Sequence, residues 1–193
     1  MEMISALVLG YLLGSVPFGL LLTRLTGAGD LRKIGSGNIG ATNVLRTGNK
    51  ALAAGTLLLD MGKGLLAVVL AHQWYPEYVG LAGLGAFLGH CFPVWIGFRG
   101  GKGVATTAGI CFGLAWPIGM AYALSWLGVL LLSRISSLAG MSAAIVAPVA
   151  ALAGGYRDFS LILAVIAVIV LVLHRGNIAR LRDGSEPKVG KGS

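Results

Sequence analysis

Residues 159–173 read FSLILAVIAVIVLVL, a run that consists almost entirely of Leu, Ile, Val and Ala. A helix that crosses a bilayer needs about 20 apolar residues, and about 17–25 are tolerated. This run is slightly short, but longer apolar stretches precede it along most of the chain. The pattern predicts an all-α fold, that of a polytopic integral membrane protein.

The composition of the whole chain agrees with that prediction. Of the 193 residues, 56% are hydrophobic and only 11% are Asp, Glu, Lys or Arg, whereas soluble domains contain about 25% of these charged residues. Such a chain is neither a soluble globule nor a disordered segment. Both cysteines, Cys91 and Cys111, lie in apolar stretches without CxxC spacing, so the sequence predicts no disulfide and no thiolate metal site.

The number of spans depends on the longest apolar stretch, residues 104–132. It is too long for one ordinary span, and Trp116-Pro117 interrupts it where proline would remove a backbone hydrogen bond. We therefore predict a short helix and a full helix here, and seven transmembrane helices in total. The other five predicted spans are residues 3–25, 51–72, 78–98, 135–154 and 159–173.

Basic residues predict the orientation, because loops on the cytoplasmic side carry more Lys and Arg. Seven spans place thirteen Lys and Arg residues on one side and Arg157 alone on the other, whereas six spans divide them eight to six. The N-terminus is therefore predicted outside and the C-terminus in the cytoplasm, with residues 26–50, 99–103 and 174–193 as cytoplasmic segments of one domain, residues 1–193. This distribution also accounts for the net charge of +8, so no nucleic-acid partner is predicted.

The first cytoplasmic segment contains residues 33–43, KIGSGNIGATN, followed by Arg46. Glycines allow a backbone to approach an anion closely, and Ser, Asn, Thr and Arg side chains donate hydrogen bonds to it. The density of such donors favours a phosphate-binding loop over the alternative, a flexible linker.

The second segment, residues 98–106, reads FRGGKGVAT and opens a short helix. Free N–H groups at a helix N-terminus next to Lys102 and Arg99 form an anion site. The segment is not a nucleotide P-loop, because Ile96 and Gly103 stand where that motif requires a glycine and a hydroxyl residue. The alternative is that the charges serve topology and the glycines serve helix packing.

The third segment, residues 174–186, reads HRGNIARLRDGSE. His174 and Asn177 are three residues apart and share one face of a continued helix. The alternative role for this histidine is that of an interfacial anchor. Within the second span, Asp60 and Lys63 have i,i+3 spacing and are predicted to pair, either as a structural tie or as a substrate contact.

Together, these segments resemble those of the bacterial glycerol-3-phosphate acyltransferases that use acyl phosphate as donor, the PlsY family. The resemblance spans the chain, and three motifs occur in order. The motifs are GSGNIGATN at 35–43 with Arg46, GHCFPVW at 89–95 with FRGGKGVAT at 98–106, and HRGN at 174–177 with RL at 180–181 and GSE at 184–186, while SVPFG at 15–19 and DMGKG at 60–64 extend the match.

The resemblance implies transfer of an acyl group from acyl phosphate to sn-glycerol 3-phosphate, which gives lysophosphatidic acid and inorganic phosphate. It also implies a multi-pass enzyme of the bacterial inner membrane, surrounded by membrane lipids, with its active site at the cytoplasmic face. No cofactor and no metal are expected, and the enzyme is expected to be a monomer.

Individual residues acquire roles through the same resemblance. The candidate catalytic residues are Ser36, Arg46, His174 and Asn177. The candidate substrate- and phosphate-binding residues are Gly37, Asn38, Thr42, Asn43, Gly100, Gly101, Lys102, Gly103 and Thr106. Asp60, Lys63 and Glu186 are candidates for structural support.

An acyl phosphate is already activated, so the enzyme mainly aligns the glycerol hydroxyl, stabilises the oxyanion and accommodates the phosphate leaving group. Three routes for the proton stay open: His174 as base, Ser36 as a nucleophile that forms an acyl-enzyme, or a phosphate oxygen of the donor. We favour the last, because no Asp or Glu lies within the first two motifs. The alternative function is a small transporter of a phosphorylated solute, although the sequence has no inverted repeat.

Overall fold

The computed structural model describes residues 1–190, which contain ten α-helices and no β-strand. Residues 191–193, which end the predicted cytoplasmic segment and include Lys191, lie outside the described residues. The helices are α1 (Glu2–Gly14), α2 (Phe18–Leu25), α3 (Ala41–Val44), α4 (Lys50–Trp74), α5 (Val79–Cys91), α6 (Val104–Leu114), α7 (Trp116–Ser133), α8 (Ser136–Ala153), α9 (Arg157–Leu173) and α10 (Arg175–Arg182).

Five helical stretches are long and apolar enough to cross a membrane, and a sixth is counted if α9 and α10, which meet at a bend of 60°, form one span. The first stretch, Glu2–Leu25, comprises both α1 and α2. Helix α6 is apolar but has only 11 residues. The prediction of an all-α fold with several apolar spans is confirmed for residues 1–190, while the count of seven and the orientation of the termini stay predictions.

The longest apolar stretch is divided where the sequence predicted a break. Helix α6 ends at Leu114 and α7 begins at Trp116, with Ala115 extended between them (φ −162°, ψ 134°). Pro117 lies in the first turn of α7. Proline is tolerated there because the N–H groups of a first helical turn have no acceptor within the helix.

Two other predicted spans, the first and the third along the chain, are also interrupted near a proline. Helix α2 begins directly after Pro17, and the helical path of α5 ends two residues before Pro93. Proline lacks an N–H group and disfavours helical backbone at the preceding residue. The two interruptions contact each other, because Trp95 Nε1 donates a hydrogen bond to Ser15 Oγ at 2.7 Å.

Small residues allow the helices to approach closely. A Cβ atom added at Gly10 or Gly14 of α1 would collide with the backbone of α5, and one added at Gly85 or Gly89 of α5 would collide with the backbone of α1. Gly109 of α6 lies equally close to the backbone of α4. In lipid, such close contacts replace the hydrophobic effect as the main source of helix association.

The three predicted cytoplasmic segments are called the first, second and third polar segments below. The first of them, residues 26–50, has a small core of its own. Leu31, Ile39 and Val44 are buried against Leu20 of α2 and Leu52 of α4. Burial of these side chains ties the segment to the ends of two helices. It is an ordered substructure, which argues against the flexible-linker alternative.

Candidate active site

A pocket of about 500 Å³ lies where the three polar segments meet, beside the start of α10. Four basic side chains contribute positive charge to it, and none of the described residues that line it carries a carboxylate. A pocket of this charge is suited to anions such as phosphate groups. The lining residues are Gly35, Ser36, Arg46, Lys102, Leu173, Arg175, Gly176, Asn177, Arg180 and Pro187.

The sequence analysis found some of these residues and missed others. Four of the predicted site residues line the pocket: Ser36, Arg46, Lys102 and Asn177. Arg175 and Arg180 were missed because their charges were assigned only to topology, although both lie inside the third motif. The signal that could have found them is their position on the short helix that begins after His174.

Asn43 organises the first polar segment. Its Nδ2 atom donates hydrogen bonds to the carbonyl oxygens of Leu31, Ile34 and Asn38 at 3.0, 2.9 and 2.7 Å. Its Oδ1 atom accepts hydrogen bonds from the backbone N–H and the hydroxyl of Ser36 at 3.1 and 3.3 Å. The side chain is buried and does not line the pocket, so its predicted phosphate-binding role is replaced by a positioning role.

The same oxygen of Asn43 also fixes the pocket arginine. Arg46 donates to it from a guanidinium nitrogen at 3.3 Å. Gly35 has a φ of +51°, and an added Cβ atom there would collide with the side chains of Asn43 and Arg46. Glycine is therefore required at position 35 both by backbone conformation and by space.

Asn43→Asp is expected to lower kcat/KM on the order of 10- to 100-fold, because a carboxylate cannot donate to the three carbonyl groups that the amide now satisfies. The measurement is steady-state acyl transfer by the purified variant. Asn49→Asp is the matched control, since Asn49 caps α4 through its side-chain oxygen and Asp caps a helix equally well. Equal activity of the two variants would contradict the positioning role.

The other predicted residues of this segment lie outside the pocket. Gly37 and Thr42 are exposed. The side-chain oxygen of Asn38 accepts a hydrogen bond from the Gly40 N–H at 2.8 Å and closes a local turn. These three predicted phosphate contacts therefore have no support in the geometry of the pocket.

The second polar segment corrects the prediction for its glycines. The N–H group of Gly100 donates to the carbonyl of Cys91 at 3.0 Å, and that of Gly101 donates to the carbonyl of His90 at 3.1 Å. Both donors are used within the protein, so they do not form the predicted phosphate-binding N–H groups. Gly103 caps α6 in a left-handed conformation, with a φ of +81°.

Thr106 also departs from its predicted phosphate-binding role. Its side chain is fully buried at the contact between α4 and α6, where an added Cβ atom at Gly64 would meet its carbonyl oxygen. Its hydroxyl has no hydrogen-bond partner among the described residues. Of the predicted phosphate-binding residues in this segment, Lys102 is the one that lines the pocket.

A hydrogen-bonded chain leads from Glu186 to Lys102. Glu186 Oε1 accepts from Ser137 Oγ and from Asn177 Nδ2, each at 2.5 Å, and its Oε2 accepts from Arg180 Nε at 2.7 Å. Asn177 Oδ1 in turn accepts a hydrogen bond from the Lys102 ammonium group. This network links α8, α10 and the second segment, and it fits the predicted supporting role of Glu186.

Two charged groups of this hydrogen-bonded network, Glu186 and Lys102, have shifted pKa values. Burial by itself would raise the pKa of Glu186, but hydrogen bonds from Ser137, Asn177 and Arg180 outweigh burial and hold that pKa below its usual value. Burial lowers the pKa of Lys102, and the positive charge of Arg180 lowers it further.

His174 lies at the junction of α9 and α10 and is only 3% exposed. Its Nδ1 atom lies 2.8 Å from the carbonyl oxygen of Val170, an acceptor that requires Nδ1 to carry the proton and leaves Nε2 as an acceptor. Burial lowers the pKa of His174 to about 4, although the hydrogen bond to Val170 opposes that shift. The imidazole is therefore neutral at neutral pH, and it does not itself line the pocket.

This pKa predicts a loss of stability in acid. The folded protein keeps His174 neutral down to about pH 4, whereas the unfolded chain binds the proton near pH 6.5. The free energy of unfolding should therefore fall by up to about 3 kcal/mol between about pH 6.5 and 4, and be insensitive to this group above that range. Unfolding in detergent as a function of pH is the measurement.

The control compares two histidine variants. His174→Gln should reduce this acid-dependent loss, whereas His72→Gln, which changes an exposed histidine on α4, should retain it. An unchanged pH dependence in His174→Gln would show that another group is responsible.

The predicted pairing of Asp60 and Lys63 is confirmed. Lys63 Nζ lies 2.7 Å from Asp60 Oδ1, in an alignment that falls short of a hydrogen bond. The ammonium group also donates to the carbonyl of Val16 at 2.8 Å, between α1 and α2. Neither side chain lines the pocket, which supports the structural alternative over substrate contact. Among residues 1–190, no group of three or more His, Cys, Asp and Glu side chains is arranged to hold a metal ion.

The fold and the pocket define the class: a helical membrane protein with a basic pocket for an anionic ligand where several helices end. Comparison with known proteins specifies the family. The family model for glycerol-3-phosphate acyltransferase matches residues 4–184. The chain belongs to this family and is an acyltransferase, so the resemblance predicted from the motifs is confirmed.

Curated relatives and solved structures agree with the family. The glycerol-3-phosphate acyltransferase of Erythrobacter litoralis is 60% identical over 185 residues, which cover 96% of this chain and 94% of the relative. That of Mesorhizobium japonicum is 57% identical over 188 residues, covering 97% and 96%. A crystal structure of PlsY, an integral membrane glycerol 3-phosphate acyltransferase, in its glycerol 3-phosphate form has a TM-score of 0.92 at 36% identity and covers 98% of this chain and 96% of PlsY. Its lysophosphatidic acid form has a TM-score of 0.91 at the same identity and coverage.

Proposed function

We propose that this enzyme transfers the acyl group of an acyl phosphate to sn-glycerol 3-phosphate and releases lysophosphatidic acid and inorganic phosphate. The observation that carries the proposal is the convergence of Ser36, Arg46 and Lys102 with two further arginines in one pocket. Both substrates carry phosphate, and a pocket without a lining carboxylate favours two anions. The related PlsY has structures in a glycerol 3-phosphate form and a lysophosphatidic acid form.

In the proposed reaction, a glycerol hydroxyl attacks the carbonyl carbon of the acyl phosphate. A new C–O ester bond forms, the bond between the acyl carbon and the phosphate oxygen breaks, and the departing phosphate takes the hydroxyl proton. Arg46 and Lys102 stabilise the phosphate charges. The Ser36 hydroxyl, which donates to Asn43 Oδ1 at 3.3 Å without substrate, donates to the reacting centre instead when substrate is bound. Asn177 orients Lys102, with Glu186 behind it.

The geometry around Ser36 and His174 supports direct transfer over the two other proton routes. The Ser36 hydroxyl donates to the amide oxygen of Asn43, which cannot act as a base. The His174 imidazole is buried and hydrogen-bonded to a backbone carbonyl. A phosphate oxygen of the donor, by contrast, is always present when the reaction occurs.

The decisive assay uses the purified protein in detergent with radiolabelled glycerol 3-phosphate and acyl phosphate. We expect a labelled lipid product that requires both substrates. Absence of any lipid product would leave the transporter alternative and refute the enzyme. We also propose that the enzyme is active as a monomer in the presence of membrane lipids.

For the topology, we propose seven spans, with the N-terminus outside, the C-terminus inside and the pocket at the cytoplasmic face of the inner membrane. The uneven distribution of Lys and Arg supports this orientation. An impermeant thiol reagent applied to intact cells should label Arg157→Cys but neither Lys33→Cys nor Arg182→Cys, after Cys91 and Cys111 are replaced. All three positions are exposed in the structure.

Membrane rupture supplies the control for this labelling, because the two protected cysteines should then react. The seven-span proposal requires an even number of spans between positions 33 and 182. Labelling of Arg182→Cys from outside, with Lys33→Cys protected, would require an odd number and would overturn the proposal.

A further inference from the structure

Three titratable side chains lie beneath the second polar segment, and the proposed reaction uses none of them. Asp60, Lys63 and His90 have side chains that are only 3%, 4% and 4% exposed. Asp60 and Lys63 belong to α4, and His90 lies one residue before the end of α5. None of the three lines the pocket.

His90 contacts Gly101 in two ways. Its carbonyl oxygen accepts the hydrogen bond from the Gly101 N–H at 3.1 Å. Its imidazole ring also occupies the space that a side chain at position 101 would need, because an added Cβ atom would collide with the ring atoms Nε2, Cε1 and Cδ2. The backbone of Gly101 is not left-handed, so space and not conformation requires glycine here.

Asp60 lies at the other nitrogen of the same ring. Its Oδ1 atom is 3.7 Å from His90 Nδ1, and the same oxygen lies 2.7 Å from Lys63 Nζ. The ring is therefore placed between α4 and the segment that carries Lys102. Lys63 extends this arrangement to the carbonyl of Val16, at the interruption between α1 and α2.

We propose that His90 is a positioning residue for the Gly100–Gly103 loop, that Asp60 orients its ring, and that Gly101 is glycine because that ring fills the space of a side chain. The proposal rests on the proposed function in one respect, namely that Lys102 binds a substrate phosphate. It differs from the expectation that glycines in this loop admit phosphate to their N–H groups, since the Gly101 N–H is already donated to His90.

The experiment combines Gly101→Ala with His90→Asn, which removes the ring but retains a side-chain donor of similar reach toward Asp60. Gly101→Ala should raise the KM for glycerol 3-phosphate about 10- to 100-fold through overpacking, with a smaller effect on kcat. In the double variant, the KM should return to within about threefold of His90→Asn alone, because the clash no longer exists.

Gly100→Ala is the matched comparison. An added Cβ atom at position 100 would meet the backbone carbonyl oxygens of His90 and Cys91, which His90→Asn leaves in place. Its defect should therefore persist in the double variant with His90→Asn. Gly128→Ala controls for the added methyl group itself, because nothing lies within 4 Å of a Cβ atom at that position.

Additive defects of Gly101→Ala and His90→Asn, or a normal KM in Gly101→Ala, would overturn the proposal. Thermal unfolding of the same variants gives a readout that is independent of catalysis: Gly101→Ala should unfold at a lower temperature than the wild type, and His90→Asn should remove that difference. A wild-type protein without acyl transfer would refute the proposed function, while this unfolding comparison would still test the packing. Should His90→Asn not fold, His90→Gln, which also lacks the ring, takes its place.

Discussion

Lys102→Met is expected to raise the KM for glycerol 3-phosphate by about 30- to 1000-fold. Lys102 is half-buried in the pocket, and its ammonium group is held by Asn177, so the charge is fixed where a substrate phosphate would lie. Removing one partner of a desolvated charge pair typically costs about 2–5 kcal/mol. Because Lys102 is only half-buried, we expect about 2–4 kcal/mol, which corresponds to a change of about 30- to 1000-fold in a binding constant. Methionine retains most of the apolar stem and removes only the charge.

The measurement is steady-state kinetics with glycerol 3-phosphate varied at saturating acyl phosphate. Lys50→Met is the matched control, because Lys50 is an exposed lysine at the start of α4 and does not line the pocket. We expect its kinetics to be unchanged. A Lys102→Met enzyme with a KM within about threefold of the wild type would remove Lys102 from the phosphate site.

The apolar spans were predictable because hydropathy reports directly on the cost of placing a residue in lipid. The interruptions near Pro17 and Pro93 were not, since a membrane helix can continue past proline when neighbouring groups satisfy the freed backbone atoms. Here Lys63, from another helix, satisfies the carbonyl of Val16. Whether proline ends a span therefore depends on contacts that are distant in the sequence.

The site shows the same division between local and distant information. Ser36, Arg46, Lys102 and Asn177 could be found because their motifs resemble those of the acyltransferase family, and because the segments around Ser36, Arg46 and Lys102 are rich in groups that bind anions. The role of Asn43 could not, because it looks like its polar neighbours until six hydrogen bonds are seen to converge on its amide.

Glycine is the least informative residue in such a motif, because several physical reasons can require it. Gly35 is required by a positive φ and by two neighbouring side chains, Gly100 by two backbone carbonyl groups, and Gly101 by the ring of His90. Gly103 is required by its left-handed conformation. Sequence alone suggests one role for all four, whereas the structure separates them.

Ser36→Ala is expected to lower kcat on the order of 10²–10³-fold, with a smaller change in the KM for either substrate. The serine lines the pocket beside Arg46, and Asn43 positions it by accepting a hydrogen bond from its backbone N–H at 3.1 Å. Loss of one well-placed donor to a developing negative charge has an effect of this size. Ser5→Ala is the control, because Ser5 is an exposed serine near the N-terminus and does not line the pocket.

The same residue decides between direct transfer and an acyl-enzyme. A serine nucleophile needs a base within hydrogen-bonding distance, and the partner of the Ser36 hydroxyl among the described residues is an amide oxygen. We therefore expect no burst of phosphate release and no acyl adduct when purified enzyme is mixed with acyl phosphate without glycerol 3-phosphate. Mass spectrometry of the intact protein after this incubation is the measurement. A stoichiometric acyl group on Ser36 that is transferred when glycerol 3-phosphate is added would refute direct transfer, because the acyl–phosphate bond would then break before the acceptor hydroxyl arrives.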